Sequence, residues 1–332
     1  MKKKVSSKKS SEKSETLSVI KKLKDELSRV VVGQEEIIDG ILMAMIADGH
    51  VLVEGVPGIA KSLVVKSMAL ITGCDFSRIQ FTVDLLPTDI VGLTTLAPNR
   101  RSYEVLKGPV FSNFVMADEV NRAPPKTQSA LLEAMGERQV SIGRTTHLLQ
   151  KPFFVMATQN PIETAGTYPL PEAQLDRFLF KLVMRYPNAD EEWKIIEQNI
   201  SLKPFESYNL RKIITPTYII KLQKEARNIK HTDRIKKYIV DIVNATRSPK
   251  DYSINTGKYI TLGASPRASI FLFIAAKARA MLNGDTFITP QHVKDVAHAV
   301  LRHRLMLNYR AKVDNITTDD VIQEVLNRVK VP

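Results

Sequence analysis

Leu17, Ile20, Leu23, Leu27 and Val30 recur at the three- and four-residue spacing of one helical face. The run "VVGQ" at 31–34 breaks the pattern, and Ile37, Ile38, Ile41, Leu42 and Met45 resume it as a second helix. A short apolar strand, "HVLVEG", then enters the loop "GVPGIAKS" at 55–62, and "KSLVVKSMALI" continues as a helix. Further apolar runs follow: "SRIQFT", Phe114 to Ala117 in "FSNFVMADE", "KPFFVMATQN" and "FLFKLVM". Helical segments lie between most of them, notably "KTQSALLEAMGE". Strands that read as continuous apolar runs and alternate with helices predict an α/β fold, with a mainly parallel five-stranded sheet covered on both faces.

Two polar stretches interrupt the alternation. "TTLAPNRRSYEVLKG" has a Pro-Asn turn, and "RQVSIGRTTHLLQ" turns at Gly143 and Arg144. Each reads as a hairpin or as an ordinary solvated loop. From about Tyr186 helical patterns dominate, with Asp233, Ser265, Thr289 and Thr317 at expected helix starts. The expected organisation is a basic disordered tail at 1–15, an α/β core at 16–205 and an all-helical lid at 206–332. No repeat of fixed period is present.

Composition changes this picture little. A chain of 332 residues with 44% hydrophobic and 25% charged residues is an ordinary globular one. No apolar run approaches the ~20 residues that cross a bilayer. The basic start "MKKKVSSKKSSEKSE" has no apolar stretch of a secretory signal behind it. The lone Cys74 excludes an internal disulfide framework. These features lead us to expect a soluble, cytoplasmic chain. The net charge of +13 permits nucleic acid, anionic lipid or acidic protein as a partner and chooses none of them.

The loop at 55–62 follows a strand and opens a helix, as a phosphate-binding loop must. Backbone N–H groups at a helix start attract anions. Gly55 and Gly58 allow the backbone bend, Lys61 reaches the β and γ phosphates, and Ser62 offers a hydroxyl to Mg2+. Val56, Pro57, Ile59, Ala60 and Leu63 complete the nucleotide-binding stretch. Ala60 stands where the pattern has its second glycine; right-handed helical dihedrals are expected there, and alanine adopts these easily. Support comes from "FVMADEVNR", an apolar strand ending in two acids. Asp118 is placed to hold Mg2+ through water, and Glu119 to orient and activate the attacking water. A third element is Asn160 in "ATQNP". Alone it reads as a turn residue before Pro161; beside the other two motifs it reads as a contact to the water or the γ-phosphate.

"GVPGIAKS", "ADEVNRAPPKTQSALLEAMGERQV", "ATQNPIETAGTYPLPEAQLDRF" and "GASPRA" together resemble the MoxR-family AAA+ ATPases, over roughly residues 17 to 310. That family is similar to magnesium chelatase ATPase subunits and, more distantly, to MCM helicase motors. The alanine before the Walker lysine is usual in it. The resemblance implies a P-loop AAA+ core with a helical lid. Arg177 in "LDRF" then matches the arginine finger that reaches a neighbouring subunit, where otherwise it reads as a surface arginine pairing with Asp176. Arg267 in "GASPRA" matches sensor 2, Asn160 sensor 1, and Val32 with Gly33 the segment against adenine. The two polar stretches match the helix-2 and pre-sensor-1 inserts. Arg122 is typical of the family, with no role assigned.

The function implied is Mg2+-dependent ATP hydrolysis in a homo-oligomeric ring, hexameric by resemblance, driving chaperone-like remodelling or maturation of a protein client. Metal cofactor insertion and a partner with a von Willebrand factor A domain belong to the same expectation. The rival is a nucleic-acid-stimulated motor of the MCM type, supported by net charge and the Arg100–Arg101 pair. No nucleic-acid-binding motif accompanies it. A third reading is a nucleotide-gated scaffold that barely hydrolyses. The six histidines lack paired metal-ligand spacing and read as surface or partly buried groups, and Trp193 reads as an apolar anchor at the start of the lid.

Overall fold

The computed structural model describes residues 2–55, 61–96, 103–160, 166–198 and 205–332, with the backbone alone at 2–13 and 198. Its contacts divide the chain into two compact units. The core unit is Val19–Pro171 with Leu182–Lys221; the helical unit is Met1–Ser18, Glu172–Lys181 and Leu222–Pro332.

Helix α1 (Lys2–Ser28) starts inside the stretch whose composition predicts a disordered tail. No glycine or proline interrupts the sequence between its ends, so one helix runs from the Lys/Ser-rich start into the apolar stripe. Ile20, Leu23 and Leu27 of that stripe are buried. α2 (Glu35–Ile46) opens with Glu35 and Glu36, whose charges suit a helix N-terminus, and buries most of its length. β1 (Val51–Gly55), α3 (Lys61–Thr72) and β2 (Phe76–Gln80) follow. α4 (Pro87–Val91) leads into the hairpin β3 (Gly92–Leu96) and β4 (Tyr103–Lys107). Gly92 sits at φ +99°, and a Cβ there would collide with the carbonyl of Leu106 on the opposite strand.

β5 (Phe114–Asp118) precedes α5 (Pro125–Glu137), which has proline at its first position, where the missing N–H costs nothing. A second hairpin, β6 (Gln139–Ile142) and β7 (Thr145–Leu148), leads to β8 (Phe154–Gln159). Both polar stretches of the sequence therefore fold as antiparallel hairpins. α6 (Glu172–Leu175), β9 (Phe180–Met184) and α7 (Ala189–Gln198) close the α/β part. The five-stranded sheet runs β2-β5-β8-β1-β9, and β2·β5, β5·β8 and β8·β1 are parallel. β5 and β8 are buried almost throughout, as expected of strands covered on both faces. Trp193 is not an apolar anchor: the residue is 66% exposed on α7, and Nε1 donates to Glu197 Oε1 at 2.9 Å.

The helical unit continues with α8 (Pro216–Arg227), whose first turns belong to the core unit, and α9 (Asp233–Arg247). Then come β10 (Ile260–Leu262), α10 (Pro266–Leu282), α11 (Pro290–Leu301), β11 (Met306–Leu307), α12 (Tyr309–Val313) and α13 (Thr318–Arg328). Ser265, Thr289 and Thr317 each cap a helix with the side-chain oxygen, as expected; Thr232 caps α9, and Asp233 is its first helical residue. Ile242, Leu272, Val296, Val300, Val321 and Val325 are fully or almost fully buried, each removal from water being worth about 1.5–3 kcal/mol.

The division by contact departs from a 205/206 boundary in two places. Residues 206–221 stay with the core unit, where Ile213 N–H bonds Ile71 O at 2.7 Å. Glu172–Lys181 joins the helical unit because residues 302–304 grip its backbone. Among the described residues, no helix is long and apolar enough to cross a membrane.

Candidate active site

Four strands of the sheet bring their C-terminal ends to one edge. Gln80 at the end of β2 is in register with Asp118 of β5, Ala117 with Ala157 of β8, and Gln159 with Glu54 of β1. In open parallel sheets ligands bind at that edge.

β5 delivers the two acids. Glu119 follows the strand at φ +56°, a left-handed conformation that costs a non-glycine residue roughly 1–3 kcal/mol. It is held there from β8. The Glu119 N–H donates to Thr158 Oγ1 at 2.9 Å, and the Thr158 hydroxyl donates to Asp118 Oδ1 at 2.6 Å. A single buried hydroxyl thus fixes both carboxylate-bearing residues. Asp118 Oδ2 receives Arg78 at 2.6 Å. Glu119 Oε2 receives Gln80 Nε2 at 2.9 Å and lies 3.2 Å from Arg122 Nε. The turn after the acids is fastened by Gln128 of α5, whose amide donates to the carbonyls of Val120, Ala123 and Tyr168.

Lys61 opens α3, and its Nζ donates to Gly55 O at 2.6 Å. Burial lowers the Lys61 pKa, while the charges of Asp118 and Glu119 pull it back up and favour the ammonium form that phosphate needs. Ser62 and Leu63 are half-buried in the same turn. Val56, Pro57, Gly58, Ile59 and Ala60 lie outside the described residues, as do Arg100 and Arg101. Asn160 is buried directly after β8. Val32 and Gly33 form the turn before α2. Gly33 has φ +72°, and a Cβ on it would strike the carboxylate of Glu191 in α7.

The core unit therefore places Asp118, Glu119 and Asn160 at the ends of the adjoining strands β5 and β8, and Lys61 at the start of α3. Arg177 and Arg267 belong to the helical unit. Arg267, in the first turn of α10, lies 3.5 Å from Asp176 Oδ2. Asp176 also takes Arg304 and Ser265. Burial lowers the Arg304 pKa to about 10 against the charge of Asp176, which raises it.

The oxygen donors of Asp118 and Ser62 suit a hard divalent cation. Among the described residues, no cluster of three or more His, Cys, Asp or Glu could hold a metal by itself. Mg2+ does not need one, since water and phosphate oxygens supply most of its ligands.

Sequence reasoning passed over Thr158, Arg78, Gln80, Gln128 and Arg304. Thr158 had a signal, a hydroxyl within the apolar run "FFVMATQ". Arg78 and Gln80 stand two apart on a short strand and so share a face. Arg304 had none, because Asp176 lies 128 residues away along the chain.

Residues 50–180 match the model of the ATPase family associated with various cellular activities (AAA), and residues 254–325 match the AAA lid domain. Chaperone MoxR1 of Mycobacterium tuberculosis is 46% identical over 308 residues, spanning 92% of this chain and 81% of that protein. This chain belongs to the MoxR family of AAA+ ATPases. Two further relatives agree. The uncharacterized protein YeaC of Bacillus subtilis is 45% identical across 93% of both chains. Protein MoxR of Paracoccus denitrificans is 30% identical across 85% of this chain and 87% of its own. A crystal structure from Cytophaga hutchinsonii superposes with a TM-score of 0.91 at 44% identity, covering 98% of each chain. As a member of this family the protein binds nucleotide and is an ATPase.

Proposed function

We propose that this MoxR-family ATPase hydrolyses ATP with Mg2+ between neighbouring copies in a ring, and uses the cycle to remodel protein complexes in the cytoplasm. The observation that carries the reading is the pair Asp118–Glu119, fixed by one Thr158 hydroxyl and electrostatically coupled to Lys61.

In this reading Lys61 neutralises the β and γ phosphates, and the backbone from Gly55 to Leu63, with Val56, Pro57, Gly58, Ile59 and Ala60, wraps them. Ser62 and Asp118 would hold Mg2+, Asp118 through water, and the ion would there supply charge neutralisation for the phosphates. Glu119 Oε2 accepts a proton from the attacking water, so its contacts to Gln80 and Arg122 must loosen first. Asn160 bridges the water or the γ-phosphate. Val32 and Gly33 pack against adenine. Arg267 contacts the nucleotide, and Arg177 reaches the neighbouring subunit's γ-phosphate.

Remodelling is supported by the chaperone name of the Mycobacterium tuberculosis relative. A hexameric ring, a partner with a von Willebrand factor A domain and metal cofactor insertion rest on family resemblance. The nucleic-acid-stimulated alternative gains nothing from the relatives above, and its best contact, Arg100–Arg101, falls outside the described residues.

The test separates binding from chemistry. Lys61→Ala loses nucleotide binding. Glu119→Gln keeps ATP bound and loses about 10²–10⁴-fold in turnover. Chelating Mg2+ stops the wild type. Turnover at the wild-type rate in Glu119→Gln contradicts the assignment. Proteins captured by Glu119→Gln in ATP, and released when ATP is withdrawn, identify the client.

A further inference from the structure

The three residues after α11 act as a clamp on the segment that carries Arg177. Arg302 Nη1 donates to Lys181 O at 3.0 Å, and His303 Nε2 lies 3.1 Å from Phe178 O. Arg304 donates to Asp176 Oδ1 at 2.7 Å, to Asp176 O at 3.1 Å, to Phe178 O at 2.5 Å and to Leu179 O at 3.4 Å. Its side chain is 1% exposed. An arginine with this many acceptors in the interior has no route to another partner.

Asp176 has a second face. Oδ2 accepts the Ser265 hydroxyl at 2.8 Å and lies 3.5 Å from Arg267, whose side chain is 50% exposed. Asp176 itself is mostly buried, but Arg267 reaches it from a half-exposed position at a long separation, so water competes for the arginine and the pair is open to exchange. One oxygen of Asp176 is therefore permanently occupied, while the other shares a loosely held arginine with a hydroxyl.

We propose that Asp176 is a positioning residue that parks Arg267 in a releasable pair, while Arg304 fixes Asp176 and the adjoining Arg177. The proposal rests on the reading of Arg267 as a nucleotide contact. A triphosphate offers Arg267 more negative charge than one carboxylate. When Arg267 leaves, Asp176 is not stranded: Arg304 stays on Oδ1 and Ser265 on Oδ2. Losing the only partner of a buried charge is the costly event in such pairs, and this arrangement avoids it. Arg177 then keeps its place while Arg267 moves.

Parking lowers apparent nucleotide affinity, because only the unparked fraction presents Arg267. The test is a double-mutant cycle on the full chain. It reads equilibrium binding of a fluorescent, non-hydrolysable ATP analogue with Mg2+, together with kcat and KM for ATP. Asp176→Asn removes the charge and keeps the shape. It tightens the analogue roughly three- to tenfold, while kcat falls as the mount of Arg177 loosens. The tightening disappears in the Arg267→Ala background. Asn also leaves Arg304 buried without a counter-charge, so the cycle is repeated with paired Asp176→Asn/Arg304→Gln, where no buried charge is stranded. The same affinity gain is expected there.

A purely structural role lowers stability and specific activity without tightening the analogue. Absence of tightening, or equal tightening with and without Arg267, overturns the proposal. If Arg267→Ala alone alters neither binding nor turnover, the nucleotide-contact reading fails and the parking role falls with it. That result differs from the others, since affinity then depends on Arg267 in no background.

Discussion

Asp118 in the core unit and Asp176 in the helical unit each hold an arginine, at 2.6 Å for Arg78 and 2.7 Å for Arg304. The distances are equal in practice; the surroundings are not. The Arg78 side chain is 51% exposed and that of Arg304 is 1% exposed. Water screens the first pair, so its net worth is about 0–1 kcal/mol and its members exchange partners readily. The second pair stands in the interior, where removing one member strands the other's charge at about 3–5 kcal/mol. Bond length therefore does not rank these contacts; burial does. Beyond the buried Thr158 hydroxyl that fixes them, the acids at the sheet edge pair with exposed side chains that can exchange, as a site that must admit a nucleotide requires. The segment carrying Arg177 is held by a partner that cannot leave.

Substitutions sharpen that contrast. Arg304→Ala is expected to lower unfolding free energy by about 3–5 kcal/mol, read as the shift of a urea midpoint. A change within 0.5 kcal/mol breaks the comparison. The next effect is one of acid. Burial raises the Asp319 pKa, but hydrogen bonds and charges from His298 and Arg302 outweigh it and hold the carboxyl well below the carboxylate range. A carboxylate with a depressed folded pKa contributes stability above its unfolded value of about 3.9, and that contribution is lost as pH falls through the folded value. Asp319→Asn, discounted for the group's partial exposure, is expected to cost about 1 kcal/mol at pH 7. Its melting temperature then falls less than that of wild type as pH drops below about 4. Parallel curves contradict this. Arg78→Ala is expected to have the smallest effect, under about 1 kcal/mol in the same urea experiment. A loss as large as that of Arg304→Ala removes the distinction.

The two sites also differ in how far the sequence reveals them. The sheet and the caps Ser265, Thr289 and Thr317 follow from local rules of periodicity and side-chain oxygens, whereas the two polar stretches read equally as hairpins or loops until their strands are seen to pair. Lys61 and the Asp118–Glu119 pair are visible for the same reason: each follows an apolar strand, Lys61 after a loop at a helix start and the acids directly, and the order of loop and acids along the chain is itself the signal. Thr158 shows how the signal thins out, because its hydroxyl matters only once β8 lies beside β5. Arg304 lies past that limit. Its partners come from a segment 128 residues distant, and no spacing rule connects "RHR" with "LDRF".

In the proposed mechanism one copy completes the active centre of the next, with Glu119 of one subunit facing Arg177 of another. Mixing Arg177→Ala with Glu119→Gln subunits and measuring ATP turnover against the mixing ratio tests this directly. Each variant alone is nearly inactive; the mixture regains activity, greatest near equal proportions, because some interfaces then pair an intact Glu119 with an intact Arg177. No recovery at any ratio, with mixed assembly demonstrated, contradicts the account.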